Sequence, residues 1–219
     1  MMNIVNFEKT NCIINEYIAE LRDVNVQTDR MRFRRNLERL GEAMAYEISK
    51  VLEYKSVTVS TPLGSKDVNL LKEQPVIATV LRAGIPLHQG FLNVFDKADS
   101  AFIGARRKSD KNENVDICVE YYSVTNTSNR VLIFVDPMLA SGSSLIQCIS
   151  IMKDDDVRPK KLHIVAAIAS VDGIEYLKRN LHEKDVTLWV GAIDDETTAK
   201  SYIVPGLGDA GDLAYGSKK

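Results

Sequence analysis

The stretch Val131–Ser144, VLIFVDPMLASGSS, limits what the chain can fold into more than any other. Val131 to Val135 form an unbroken apolar run, mostly β-branched and aromatic. That is the pattern of a strand buried on both faces of a sheet. Asp136 follows at once, and Pro137, which has no N–H, stops the strand ladder. Small residues occupy Ala140 to Ser144. The chain then resumes as LIQCISIMK, with Leu145, Ile146, Ile149 and Met152 at helical spacing. A buried strand thus ends in an acid, turns through a Ser/Gly loop and opens a helix.

That geometry suits an anion. Small residues let backbone approach a ligand closely, and the first N–H groups of a helix have no partners within it. The helix dipole favours a phosphate there, and the hydroxyls of Ser141, Ser143 and Ser144 can add donors. Asp136 stands where open α/β sheets put their ligand crevice. A carboxylate repels phosphate, so it is better suited to accepting hydrogen bonds from sugar hydroxyls. A phosphorylated ribose fits both features. Neither GxxxxGK[ST] nor a GxGxxG after a strand is present. Taken alone, the loop is about as readily a plain strand–loop–helix connection as a site.

The rest of the chain extends the same architecture. Asn6–Leu21 is weakly amphipathic and reads as a helix on the outside of the body or on a partner subunit. Thr28 or Asp29 can cap a helix with apolar residues at Phe33, Leu37, Leu40, Met44, Ile48 and Leu52. Its arginines between Arg30 and Arg39 read as a solvated face. Residues 56–71 alternate about a Pro62-Leu63-Gly64 turn, a β-hairpin arm. Val76–Leu81 is a second buried strand, ended by Arg82-Ala83-Gly84 before a helix. Ala101–Ala105 begins a strand pair around a charged loop, a lid over 106–123. Leu162–Ala169 and Val186–Val190 are further strands. Asp172 with Glu175 resembles a capping box between them. Strands alternating with helices predict one α/β domain over 1–219, a mostly parallel sheet flanked by helices.

At 219 residues, 45% hydrophobic and 26% charged, the chain can build a substantial core. The net charge of −2 argues against a general nucleic-acid binder. No signal peptide or membrane-length apolar run is evident, and Cys12, Cys118 and Cys148 form no CxxC pattern. These features predict a cytoplasmic protein without nucleic-acid or membrane partners. His88, His163 and His182 are scattered and read as structural, and Trp189 reads as core.

YIVPGLGDAGD, residues 202–212, carries three glycines behind a proline. It is either a tight surface loop or a backbone surface able to read a flat base. Here a resemblance enters. The central loop resembles the phosphoribosyl-diphosphate (PRPP) motif of type I phosphoribosyltransferases, in the DPMLA-[ST]-G form of uracil phosphoribosyltransferases. YIVPGLGDAGD resembles their uracil-binding segment, LRAG at 81–84 their first PRPP loop, and TPLG at 61–64 part of their hairpin. RFRRNLERLGEAMAYE at 32–47 is more loosely similar to their early helix.

The resemblance implies the type I phosphoribosyltransferase fold, a homo-oligomer (dimer or higher), and formation of UMP and diphosphate from uracil and PRPP with Mg²⁺. It implies that Asp136 holds the ribose hydroxyls and that Ala140, Ser141, Gly142, Ser143 and Ser144 cradle the 5′-phosphate. Arg82, Ala83 and Gly84 would contact the diphosphate, with Arg107 (or Arg106) adding charge near the leaving group. Within a base segment at 201–213, Tyr202, Ile203, Gly208, Asp209 and Ala210 would bind uracil, with Asp209 beside the reacting centre. Mg²⁺ would ride on substrate oxygens, with no all-protein metal cage. Ser143 stands where the family commonly has a second glycine, Leu213 replaces a usually basic residue, and residues 106–120 match weakly. These departures keep two alternatives in view: a PRPP- or nucleotide-binding regulator of the same fold, and a phosphoribosyltransferase for another base.

Overall fold

The computed structural model describes residues 2–109, 115–152, 158–183, 185–199 and 201–217, with the side chains of 105–119 outside that description. The chain opens with β1 (Asn3–Asn6), a 3-10 turn (Phe7–Lys9), α1 (Ile14–Arg22) and α2 (Arg30–Ser49). The arm follows as β2 (Tyr54–Thr61) and β3 (Gly64–Leu71), then β4 (Val76–Leu81), α3 (Ile85–Val94), β5 (Asp99–Ser109) and β6 (Val115–Ser123). The central motif forms β7 (Val131–Val135), β8 (Met138–Leu139) and α4 (Ser143–Ile151). Last come β9 (Lys161–Ser170), α5 (Val171–Asn180), β10 (Val186–Asp194), β11 (Glu196–Thr197), β12 (Ile203–Val204) and α6 (Ala210–Tyr215).

The main sheet runs β1-β10-β9-β7-β4-β5-β6, with β8 also paired to β9. Its pairs are parallel except β5 with β6, which are antiparallel and carry a bulge at Gly104/Ala105. This is the predicted fold class. Because side chains alternate across a strand, the sheet feeds two cores. Ile77, Ile133, Val135 and Val165 face the layer of α1, α2 and α3, whereas Ala78, Leu132, Phe134 and Ile164 face α4 and α5. Both faces are covered, which is why Val131–Val135 and Leu162–Ala169 are apolar throughout.

Connectivity decides where a ligand can sit. β4 and β7 are neighbours, but β4 leads through α3 to β5 on one side. β7 leads through α4 to β9 on the other. The chain therefore reverses its winding between β4 and β7, and such a switch point leaves a crevice beyond the strand ends.

Three details depart from the sequence reading. Asn6–Leu21 is not one helix: Asn3–Asn6 pair with Thr187–Val190 as an edge strand, and the helix is confined to Ile14–Arg22. The open edge of β10 supplies hydrogen bonds that outweigh the weak amphipathic signal, and Phe7 stacks on Trp189 at 6.2 Å. The cap of α5 is Ser170, whose hydroxyl accepts from Gly173 N–H, so the Asp172–Glu175 capping box does not form. Finally, the arginines of α2 are not simply solvated. Arg32 pairs with Glu20 of α1, Arg34 donates to the Ala214 carbonyl, and Arg39 covers the Tyr17 ring. Asp29 caps α2, accepting from Arg32 N–H at 3.0 Å.

Candidate active site

Three segments converge on a cavity of about 420 Å³ at the β4/β7 switch point. Its walls are Leu81–Ala83 after β4, Asp136 and the Met138–Gly142 turn with Ser144, and Tyr202 with Gly208–Gly211. Segments far apart in sequence thus meet at one place.

The phosphate-type loop has the expected form. Gly142 takes φ +76°, the left-handed region that glycine enters without strain, and turns the chain into α4. The cap makes no side-chain hydrogen bond, so the first N–H groups of α4 remain for a ligand. Ser141 and Ser144 line the cavity, while Ser143 stands behind, with its hydroxyl 2.9 Å from that of Ser141. A support that the sequence did not reveal lies underneath. The Ser170 hydroxyl donates to the Ala140 carbonyl at 2.6 Å and accepts from Gly173 N–H at 2.9 Å, fully buried. Gly173 approaches so closely that a Cβ there would lie 2.2 Å from the Ala140 oxygen. A Ser two residues before Asp172, ahead of an amphipathic helix, was the signal that could have found it.

Asp136 sits half-buried at the end of β7, its N–H bonded to the Val165 carbonyl at 3.0 Å. The buried Cys148 thiol nearby is pushed up to about 12, by burial first and then by the Asp136 charge. Cys148 is a core side chain, not a nucleophile.

Across the crevice, the Leu81–Arg82 peptide is cis. Arg82 and Ala83 face the cavity, and Gly84 lies behind, where a Cβ would meet the Thr79 hydroxyl at 1.9 Å. That hydroxyl donates to the Val135 carbonyl at 2.9 Å, tying the strand of one loop to the strand of the other. The Arg82 guanidinium reaches the Gly216 carbonyl at 3.2 Å and Asp212 at 3.5 Å, while its buried Nε has no partner among the described residues. Arg107 lies on β5 opposite Ile117, and its side chain is outside the described residues.

The base segment divides its labour. Gly208, Asp209 and Ala210 line the cavity, but the Ile203 side chain is 4% exposed and belongs to the core. Tyr202 has both backbone groups engaged: its carbonyl accepts from Thr198 N–H and its N–H donates to the Thr198 hydroxyl. Tyr202 is on the cavity wall with those two groups already paired. Asp209 caps α6, one carboxylate oxygen accepting from Asp212 N–H at 3.0 Å. Among the described residues, no group of three or more His, Cys, Asp or Glu is arranged to hold a metal ion. The acids on the wall, Asp136 and Asp209, are hard oxygen donors of the kind Mg²⁺ accepts.

Comparison with known proteins agrees with this geometry. The sequence model of the family described as uracil phosphoribosyltransferase matches residues 9–217. A protein named uracil phosphoribosyltransferase from Porphyromonas gingivalis is 45% identical over 217 residues, covering 99% of this chain and 100% of its own length. One of the same name from Pyrococcus furiosus is 37% identical, covering 97% of this chain and 90% of its own. Among solved structures, the AQ2163 protein from Aquifex aeolicus superposes with a TM-score of 0.85 at 28% identity, covering 97% of this chain and 98% of its own.

Proposed function

The chain belongs to the uracil phosphoribosyltransferase family, an enzyme that joins uracil to the phosphoribosyl group of PRPP, and we propose how its residues divide that work. The observation that carries the assignment is the single cavity shared by the Asp136 loop, the Arg82 loop and the Gly208–Gly211 segment.

In the reaction, the bond between ribose C1 and the diphosphate oxygen breaks, with its electron pair leaving on diphosphate. A bond from uracil N1 to C1 forms, and the N1 proton is taken up by the departing diphosphate. The N-terminus of α4 with Ser141 and Ser144 holds the 5′-phosphate, and Asp136 accepts from the ribose hydroxyls. Backbone groups of Arg82 and Ala83 receive the diphosphate, while Gly84, its N–H donating to the Val80 carbonyl, forms the turn behind them. The Arg82 guanidinium turns from Gly216 to the leaving charge, joined by Arg107. Gly208 and Ala210, with the backbone of Ile203, read the edge of uracil, while the Tyr202 ring covers its face. Asp209 uses its uncapped oxygen near C1. Holding both reactants in line and stabilising charge on the leaving group supply most of the acceleration.

Asp136 and Asp209 would hold Mg²⁺ brought in with PRPP, which would supply further neutralisation of the diphosphate charge. The lid expected over 106–123 falls on the ends of β5 and β6, and residues 110–114 between them lie outside the described residues. The arm β2/β3, with Leu63 fully exposed at its tip, reaches a second copy of the chain. No helix among the described residues is long and apolar enough to cross a membrane.

The test is UMP formation from uracil, PRPP and Mg²⁺, run beside Asp136→Asn. The parent protein should turn over, and the variant should lose about a hundredfold in kcat/KM for PRPP. No UMP from a parent protein that still binds PRPP would favour the regulator instead.

A further inference from the structure

The base segment has only β12 and the short α6 to fix it, and what holds it comes from α1 and the end of β10. Arg22, the last residue of α1, meets Asp194, the last residue of β10, through two parallel hydrogen bonds of 2.7 and 2.8 Å. Asp194 is 6% exposed, and the same pair grips the backbone of one residue, Gly206, on both sides of its Cα. Gly206 N–H donates to Asp194 Oδ2 at 2.9 Å, and the Gly206 carbonyl accepts from Arg22 Nη1 at 3.0 Å. Gly206 has φ +58°, and a Cβ there would lie 2.1 Å from the Ile203 carbonyl oxygen, so only glycine fits this seat. Gln27 strengthens the link. Its amide donates to the Arg22 carbonyl at 2.8 Å, and its Oε1 lies 4.0 Å from where a Cβ on Gly208 would sit.

We propose that Arg22 and Asp194 are positioning residues for the nucleobase, clamping Gly206 so that the backbone atoms of Gly208 and Ala210 meet the base edge in register. The inference rests on the reading of 201–213 as the base site. A backbone reader has no side chain that can adjust, so its accuracy depends on what fixes the backbone. A bidentate arginine–carboxylate pair is a planar, rigid anchor for this, and lysine cannot reproduce it. Burial pushes the Asp194 carboxyl up, but the Arg22 and Gly206 hydrogen bonds outweigh it and hold the group below the usual range. The clamp therefore stays charged at neutral pH.

The experiment measures KM for uracil and for PRPP separately, with melting curves, in the full chain. Two variants limit the damage. Arg22→Lys leaves the buried carboxylate a cation, and Asp194→Asn leaves an oxygen for Gly206 N–H. Arg130→Lys serves as control, since Arg130 pairs with Asp99 at 2.5 Å at the opposite ends of the strands. In Arg22→Lys, KM for uracil should rise about tenfold, the scale on which misplaced groups cost rate, while KM for PRPP stays within about twofold. Asp194→Asn should shift uracil the same way, and Arg130→Lys should move neither constant. Equal rises in both constants, no rise in either, or variants that melt before assay would overturn the clamp and leave a stability element. A parent protein that makes no UMP refutes the activity itself. An active parent with unselective variants refutes only the clamp.

Discussion

The phosphate loop and the base segment face each other across one cavity, yet they are held in place by different means. The phosphate loop hangs between β7 and α4, both packed in the core, and its backing is α5, the next helix along the chain. Its geometry is set by backbone: Gly142 in the left-handed region, and Gly173 pressed on the Ala140 carbonyl. The base segment has only β12 and the six-residue α6, and its ion-pair anchor bridges residues 172 positions apart in sequence. The first region should therefore be broken by volume, and the second by loss of charge or of the N-terminal seat.

The largest effect should come from one added methyl group. Gly173→Ala improves helix propensity by about 1 kcal/mol. Its Cβ would nonetheless lie 2.2 Å from the Ala140 oxygen and 2.9 Å from that of Leu139, both backbone atoms that cannot step aside. Overpacking of this kind costs about 3 kcal/mol, so collision wins over propensity. KM for PRPP should rise about a hundredfold while uracil recognition survives in the folded fraction. An unchanged KM for PRPP would show that the loop is not seated on α5.

Acid should reach the other region. His163 is fully buried, accepts from Trp189 Nε1 at 3.0 Å, and is held down to about 4, by burial first and then by Lys161. Trp189 in turn stacks on Phe7, in the turn that leads to α1 and Arg22. In the unfolded chain this histidine takes its proton near pH 6.5, so between 6.5 and 4 the unfolded state binds more protons. Stability is complete above that window and falls as pH drops through it, by about 2 kcal/mol at pH 5. Melting curves should show this slope, and His163→Gln, whose amide oxygen can accept from Trp189 without titrating, should flatten it. KM for uracil should suffer before KM for PRPP.

A smaller effect is expected at Ser170. Ser170→Ala leaves the buried Ala140 carbonyl and Gly173 N–H without partners, at a cost of about 1.5 kcal/mol. Thermal melts and KM for PRPP should both report it. An effect on uracil alone would contradict the division between the two regions.

Why one region was easier to read follows from the same physics. Val131–Val135 announces a doubly covered strand because burial on both faces leaves a local signature, and Asp136 and the small residues stand directly after it. The buried strand Val76–Leu81 likewise marked where Arg82–Gly84 stand, but their role came only from the resemblance of LRAG. Ser170 was missed because Asp172 and Glu175 matched a capping pattern, but the Asp172 carboxylate is taken by the Thr197 hydroxyl and the cap falls two residues earlier. Arg22 and Asp194 leave no local trace at all. A charged residue ending a helix and another ending a strand are ordinary, and their pairing exists only once α1 lies beside β10. Nor did the glycine-rich pattern of 202–212 show that Tyr202 has its backbone occupied, since that depends on the Thr198–Tyr202 turn closing on itself.

The hydrogen bond from the Thr197 hydroxyl to Asp172, 3.1 Å long and exposed, joins the helix that backs the phosphate loop to the hairpin that leads into the base segment. Exposed pairs of this sort contribute little, so Thr197→Val should shift the melting temperature by less than about 0.5 kcal/mol of stability implies. Its value is as a probe of coupling. Ser170→Ala acts on the phosphate side and Arg22→Lys on the base side, with no partner in common. Their combined effect on kcat/KM should equal the sum of the separate effects within about 0.5 kcal/mol. A larger interaction energy would mean that the two regions move as one. Thr197→Val in that background would then show whether the Asp172 contact carries the coupling, because removing the true carrier must restore additivity.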